Sequence, residues 1–306
     1  MTDFTPTYQM PPGSPPAEVD IDETLVRKLL QSQHPDLAEL PITPLEPGFD
    51  NEMFRLGENY TVRLPRRAVA APCIENEQRW LPLLADRLPL PISAPVRVGH
   101  ADEGYPWPWN IVPWIEGKAA DRGYPADDQA TVLAKFLKAL HQPAPSDAPV
   151  NAVRGVPIRN LKEINEERMA RLLENTDSIN PQVYQAWAEG LAAPEENAPT
   201  WLHGDLHARN VLVNEGRIAA IIDWGDMTSG DRATDLASIW TLLESAEARR
   251  TAIETYSSDG DIALWIRAKA WTVMFGVALL DTGIIDNRRH AEMGRCILER
   301  LTEDMS

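Results

Sequence analysis

The stretch Trp201 to Trp240, WLHGDLHARNVLVNEGRIAAIIDWGDMTSGDRATDLASIW, places Asp205, Asn210 and Asp223 around one short apolar core. Val211 to Val213 and Ile218 to Ile222 are apolar runs, and Asn214-Glu215-Gly216 between them is a turn signal. This pattern predicts a β-hairpin. Asn210 precedes its first strand and Asp223 ends its second, so the hairpin should return the two side chains to one place. Asp205 lies on the loop that enters the hairpin. Carboxylates gathered this way repel unless a cation sits between them. Carboxylate and amide oxygens suit Mg²⁺, which keeps several waters and adds substrate phosphates as ligands. The chemistry implied is phosphoryl transfer, in which metal ions neutralise phosphate oxygens and an Asp orients or deprotonates the attacking hydroxyl. Two turn-forming Asx residues would also fit locally, but that reading does not explain why both flank the same hairpin.

The surrounding chain must supply a frame for this loop. Residues 1–19 hold five prolines and little periodicity and read as a flexible tail. Leu25, Leu29 and Leu30 fall at helical spacing after Asp22, a plausible N-cap, and His34-Pro35 ends that helix. ITPLEPGFDNEMFRLGENYTVRLP then reads as three strands separated by turns, without helical crossovers. A helix is predicted over about 72–86, and strands over 96–99 and 109–114. Beyond Gly117 the pattern turns helical: 128–141, 161–174, 181–191, 231–245 and long stretches after Asp261. A strand-rich first part and a helix-rich second part suggest two lobes with a cleft between them.

HGDLHARN followed by IIDWGD resembles the signature of the aminoglycoside phosphotransferase family, relatives of the protein kinases and choline kinases. His203, Asp205, Leu206 and Asn210 fit the kinase catalytic-loop template, and Asp223-Trp224-Gly225 stands where D-F-G is expected. GFDNEMFRLG, YTVRLPR, ENEQRWLPLL, NIVPWIEG and KALH follow the family's further landmarks in order, from about Asp20 onward. The resemblance implies a bilobal, protein-kinase-like α+β fold. A nucleotide-binding lobe over 20–112, an antiparallel sheet with a helix, would precede a mostly helical catalytic and acceptor-binding lobe over 113–306.

It also implies roles. Asp205 would be the catalytic base or the orienter of the acceptor hydroxyl, and Asn210 and Asp223 the Mg²⁺ ligands. Arg63 would pair with the α/β-phosphates where the kinase template has Lys, with Glu77 as its ion-pair partner. The competing reading of those two is an exposed surface pair worth about 0–1 kcal/mol. Asn51 would help a one-glycine turn at Gly48 cover the phosphates. Val112 would line the base pocket, and the Pro113 C=O and Ile115 N–H would pair with the base. His207 would contact the transferring phosphate or be a solvated loop histidine. His203 and Asp235 are expected to support the loop, and Asp226 and Asp231 are either ammonium-binding acids or solvated helix-start acids. The co-substrate would be ATP or GTP. The acceptor would be an aminoglycoside, a macrolide or a related antibiotic, with choline-, homoserine- or sugar-like metabolites as the alternative. A catalytically silent nucleotide-binding module and a nucleotidyl transferase are the rival readings.

Composition narrows the field. The 306 residues are 43% hydrophobic, enough for a large core, and carry a net charge of −17. A nucleic-acid partner is disfavoured, because phosphate contacts need clustered Lys and Arg. An acidic surface suits a cationic acceptor, yet acidic residues outnumber basic ones both before and after residue 112, as a solubility charge would. No run of ~18 apolar residues stands out, so no membrane span is expected. The polar N-terminus is not a signal peptide. Cys73 and Cys296 form neither a zinc pattern nor a disulfide framework. A cytoplasmic protein with reduced thiols is the expectation.

Overall fold

A computed structural model describes residues 16–102, 104–196, 198–257 and 261–305. Helix α1 (Glu23–Gln33) begins where the Asp22 carboxylate accepts the Leu25 N–H at 2.8 Å, and it buries Val26, Leu29 and Leu30. Strands β1 (Ile42–Pro44), β2 (Asn51–Leu56) and β3 (Tyr60–Pro65) follow, then helix α2 (Ala71–Ala85), β4 (Arg97–Gly99) and β5 (Trp109–Pro113). The strands form one antiparallel sheet in the order β1-β2-β3-β5-β4. Phe54, Leu56, Val62, Leu64 and Ile111 pack with α1 as one hydrophobic cluster.

The sequence predicted a tail through residue 19, and residues 1–15 lie outside the described part. Glu18 and Val19 do not behave as tail. The Glu18 N–H donates to the Arg66 carbonyl at 2.8 Å, its carboxylate accepts the Ala68 N–H at 3.0 Å, and Val19 packs on the sheet cluster.

The second part is mostly helical. After β6 (Lys118–Ala119) come α3 (Ala130–Leu140), α4 (Lys162–Asn175) and α5 (Pro181–Ala192). Next lie β7 (Thr200–Leu202), the hairpin β8 (Val211–Asn214) and β9 (Arg217–Ile221), and β10 (Thr228–Gly230). Five helices close the chain: α6 (Ala233–Leu236), α7 (Ser238–Leu242), α8 (Ala246–Tyr256), α9 (Ile262–Asp286) and α10 (Arg288–Glu303). The single helix expected over 231–245 is thus two short helices, α6 and α7. The expectation of no spanning-length apolar run also needs correction. Helix α9 is long and apolar enough to cross a membrane by length and composition, with a mean hydropathy of 1.4. Here it is the central helix: Trp271, Val273 and Val277 are fully buried, and α4, α5, α6 and α10 pack around it.

Two contacts fix the hairpin that carries the site. β6 pairs with β8, and the segment after α2 docks on β9, where the Ile221 N–H donates to the Pro91 carbonyl at 3.0 Å. Trp80, Leu81 and Leu84 of α2 belong to the helical core rather than to the sheet cluster, so α2 bridges the two parts. Trp109, Trp201, Trp224, Trp240 and Trp271 are buried packing residues.

Candidate active site

The hairpin closes through Glu215 and Gly216, both with positive φ (50° and 76°), between the paired Asn214 and Arg217. Two central residues with φ above zero are what a twist-matched two-residue turn demands. At the open end the Ile222 N–H donates to the Asn210 carbonyl at 2.9 Å. That bond sets Asn210 opposite the residue before Asp223, as the sequence predicted. Asp223 itself has φ 59°, in the left-handed region. Asp tolerates this conformation better than most residues, at a cost of order 1–2 kcal/mol. Its side chain remains 55% exposed.

Asp205 is joined directly to Asn210. The Asn210 amide Nδ2 donates to the Asp205 carbonyl at 2.8 Å and lies 3.4 Å from its Oδ2. The amide nitrogen is thus committed to the loop, and Oδ1 is the Asn210 atom that could bind a metal. The loop is braced from beneath by Asp235, whose two oxygens accept the His203 N–H at 2.7 Å and the Gly204 N–H at 2.9 Å. His203 is buried; its Nδ1 accepts the Asp205 N–H, its Nε2 donates to the Ile222 carbonyl at 3.0 Å, and its ring lies on Trp224. Both support roles expected from sequence are present. Gly204 has φ 87°, and a Cβ there would meet the Asp226 carbonyl oxygen at 2.3 Å, so only glycine lets the loop approach this closely.

Arg63 of β3 and Glu77 of α2 are not a surface pair. They are 5% and 0% exposed. Arg63 Nη1 donates to both Glu77 oxygens at 2.9 and 2.8 Å, and Asn110 Nδ2 adds a third bond to Glu77 at 3.0 Å. The other end of the guanidinium, Nη2, donates to Asp223 Oδ1 at 3.2 Å. Arg63 therefore ties the sheet, α2 and the hairpin end together. A planar fork can hold three carboxylate oxygens at once, which a lysine ammonium cannot do with the same geometry.

The remaining predicted residues lie around this centre with different engagements. Val112 is buried in β5. Past the end of β5, the Trp114 N–H donates to the Asn59 carbonyl at 2.7 Å, and the Ile115 N–H makes no hydrogen bond among the described residues, so it is free for a base edge. Asn51 begins β2 beside the Gly48 turn, and its buried Oδ1 has no hydrogen-bond partner among the described residues. His207 lies beside Asp205. Its Nδ1 accepts the Arg209 N–H at 3.3 Å, so Nε2 carries the proton and points at Asp205 Oδ2, 3.3 Å away. His207 thus contacts the Asp205 carboxylate. Asp231 is corrected: it is buried in an ion pair with Arg267 at 2.7 Å, so it is neither a solvated acid nor an open ammonium site.

Sequence reasoning missed Arg154. Its Nη2 donates to Asp205 Oδ1 at 2.9 Å, and its Nε lies 3.5 Å from Asp226 Oδ2. Nothing in the residues around it, NAVRG, resembles a motif. Burial alone would raise the Asp205 carboxyl. His207, Arg154 and His203 outweigh burial and hold it well below the usual carboxylate range. Burial pushes the Asp226 carboxyl up; Arg154 works against this, and Asp205 adds to it.

Residues 41–271 match the model of the phosphotransferase enzyme family.

The chain belongs to the phosphotransferase enzyme family.

Within that family it is 30% identical over 156 residues to an aminoglycoside 3'-phosphotransferase of Escherichia coli, covering 45% of this chain and 54% of the relative. The chain thus spans about half the length of the curated relative it matches. Among solved structures, the GDP complex of wild-type aminoglycoside 2'-phosphotransferase-IIIa superposes with a TM-score of 0.64 at 17% identity. That match covers 93% of this chain and 100% of the other. The macrolide 2'-phosphotransferase MphH from Brachybacterium faecium superposes with 0.57 at 20% identity, over 90% and 97%. These likenesses establish the expected α+β, kinase-like fold.

The site's oxygen atoms can be tested against Mg²⁺. Asn210 offers Oδ1, and Asp223 offers Oδ2, because Arg63 takes its Oδ1. No group of three or more His, Cys, Asp or Glu residues is gathered for a metal among the described residues. Two hard oxygen donors without a protein cage fit an ion that completes its shell with water and phosphates.

Proposed function

We propose that this phosphotransferase-family protein is a small-molecule kinase that moves the γ-phosphate of ATP or GTP to a hydroxyl of an aminoglycoside-like or macrolide-like acceptor. The observation that carries this reading is the meeting of Asp205, Asn210 and Asp223 at the hairpin mouth, with Arg63 fastened to Asp223. Asn210 and Asp223 would hold Mg²⁺, which when bound would neutralise triphosphate oxygens. Arg63, fixed by Glu77, faces the α- and β-phosphates. The Ile115 N–H and Pro113 C=O meet the base, over Val112.

Asp205 receives the acceptor hydroxyl. Its carboxylate stays ionised through the physiological range, so it is a weak base and a good orienter. That suits phosphoryl transfer, where little proton movement is needed before the loose transition state and positioning dominates. Transfer is direct and in line, because the site supplies no separate protein nucleophile. A triphosphate co-substrate fits a cytoplasmic setting.

The test is a screen of aminoglycosides, macrolides, choline, homoserine and sugars with MgATP and MgGTP, read by product mass. Gain of one phosphoryl group on an acceptor supports the reading. Gain of a nucleotidyl group means the nucleotide binds reversed. Nucleotide binding with no product on any acceptor means a silent module.

A further inference from the structure

The segment from Pro149 to Gly155 connects α3 to α4, yet it is clamped to β10 rather than looping free. The Asn151 N–H donates to Thr228 Oγ1 and the Ser229 N–H to the Pro149 carbonyl, both at 2.9 Å. The Asp231 N–H donates to the Gly155 carbonyl at 2.8 Å. Gly155 has φ 69°, and a Cβ on it would meet Leu202 Cδ1 at 2.7 Å. A Cβ on Gly230 would meet the Gly155 carbonyl oxygen at 2.2 Å. Two glycines back to back therefore let this arm lie against the strand. Asn151 Nδ2 donates to Asp226 Oδ1 at 2.9 Å, and its Oδ1 accepts the Val153 N–H at 2.9 Å, which shapes the turn before Arg154.

What the arm delivers is one guanidinium. It lies between Asp205 and Asp226, with its carbon 5.2 Å from the centre of the Phe275 ring on α9. Asp205 is thus gripped on both oxygens: Arg154 on Oδ1, His207 and Asn210 on Oδ2. A carboxylate that must present one lone pair to a hydroxyl gains from having its plane fixed this way. Without the guanidinium, two carboxylates would face each other in a half-buried place and repel, and Asp205 would swing away.

We propose that Arg154 is a positioning residue for phosphoryl transfer, holding Asp205 in its working orientation and balancing the Asp205–Asp226 charge pair. This rests on the kinase reading above. Its effect passes through Asp205. A merely structural arm would lower stability when cut and leave the turnover of the folded protein alone.

The experiment compares wild type, Arg154→Lys, Arg154→Ala and Arg154→Ala/Asp226→Asn. The activity assay uses MgATP and MgGTP with the acceptors of the screen. Guanidinium chloride at millimolar concentration is added as a probe, with sodium chloride as control. Arg154→Ala is expected to lose about 10²-fold in kcat, with the nucleotide KM unchanged. Arg154→Lys keeps a charge but not the fork and should fall between. Guanidinium should restore part of the turnover of Arg154→Ala and raise its melting temperature, and do neither in the double variant, whose charge pair is already relieved. Equal turnover of wild type and folded Arg154→Ala overturns the inference and leaves the kinase reading intact. A fall confined to nucleotide KM overturns it too. Wild-type protein that phosphorylates nothing removes the kinase reading, and the inference with it.

Discussion

Replacing Arg63 by Met should expose how much the buried pair matters. Glu77 is fully buried, and among the described residues only Arg63 and Asn110 give it hydrogen bonds. Removing the guanidinium leaves a carboxylate away from water with one amide donor. Breaking a buried pair from one side costs about 3–5 kcal/mol. For a chain of this size that corresponds to a melting temperature lower by roughly 6–15 °C. The sign of the pH dependence follows from Glu77. Burial already pushes its carboxyl above the usual range against the pull of Arg63 and Asn110, and losing Arg63 pushes it further. A carboxyl whose folded pKa is raised loses stability as pH rises, so the deficit should be smaller at about pH 5 than at about pH 8. The double variant Arg63→Met/Glu77→Leu removes both charges and should recover most of the loss, short of the unpaired Asn110 amide. Thermal unfolding of the three proteins at both pH values reads this out. A single variant as stable as wild type at the higher pH, or a double variant no better than the single one, would refute the buried-pair argument.

Further outcomes follow from other parts of the site. Asp205→Ala should abolish turnover while nucleotide affinity stays within several-fold of wild type; loss of nucleotide binding in titration calorimetry would show that the base is misplaced. Asp235→Ala strands the His203 and Gly204 N–H groups, each costing about 1–3 kcal/mol, so melting temperature and activity should fall together. His290 is half-buried, accepts from Arg209 at 2.6 Å, and burial, Arg209 and His207 lower its pKa to about 4. Because the folded imidazole resists the proton that the unfolded one takes, stability should decline as pH falls from about 6.5 to about 4. His290→Gln should flatten that slope. Burial and the surrounding acids raise the Cys73 thiol to about 11, so alkylation near neutral pH should be far slower than for a free thiol.

The hairpin was legible because its signal is local. Apolar runs flanking Asn214-Glu215-Gly216 prescribe strands, turn and ends, and Asn210 and Asp223 follow from that geometry. Helix α1 was legible for the same reason, with its cap and stop written at Asp22 and Pro35. Strands β6, β7 and β10 were not, since each is at most three residues long and exists only through distant partners. The direction of a side chain is also non-local. His207 turns to Asp205 because its Nδ1 is taken by a backbone N–H, and Asp231 is buried because Arg267 arrives from α9. Arg154 reaches the site across 51 residues of sequence, on an arm whose only written trace is Gly155 meeting Gly230. The α9 apolar run hid among charges at its N-terminal end and became recognisable as one helix only in the fold.

The most direct test of the central claim is a crystal structure of the protein with Mg²⁺ and a non-hydrolysable triphosphate. The account predicts the ion on Asn210 Oδ1 and Asp223, the α- and β-phosphates beside Arg63, and the terminal phosphate facing Asp205 across a gap open to a hydroxyl. A triphosphate seated away from the hairpin mouth, or an ion that touches neither Asn210 nor Asp223, would contradict it.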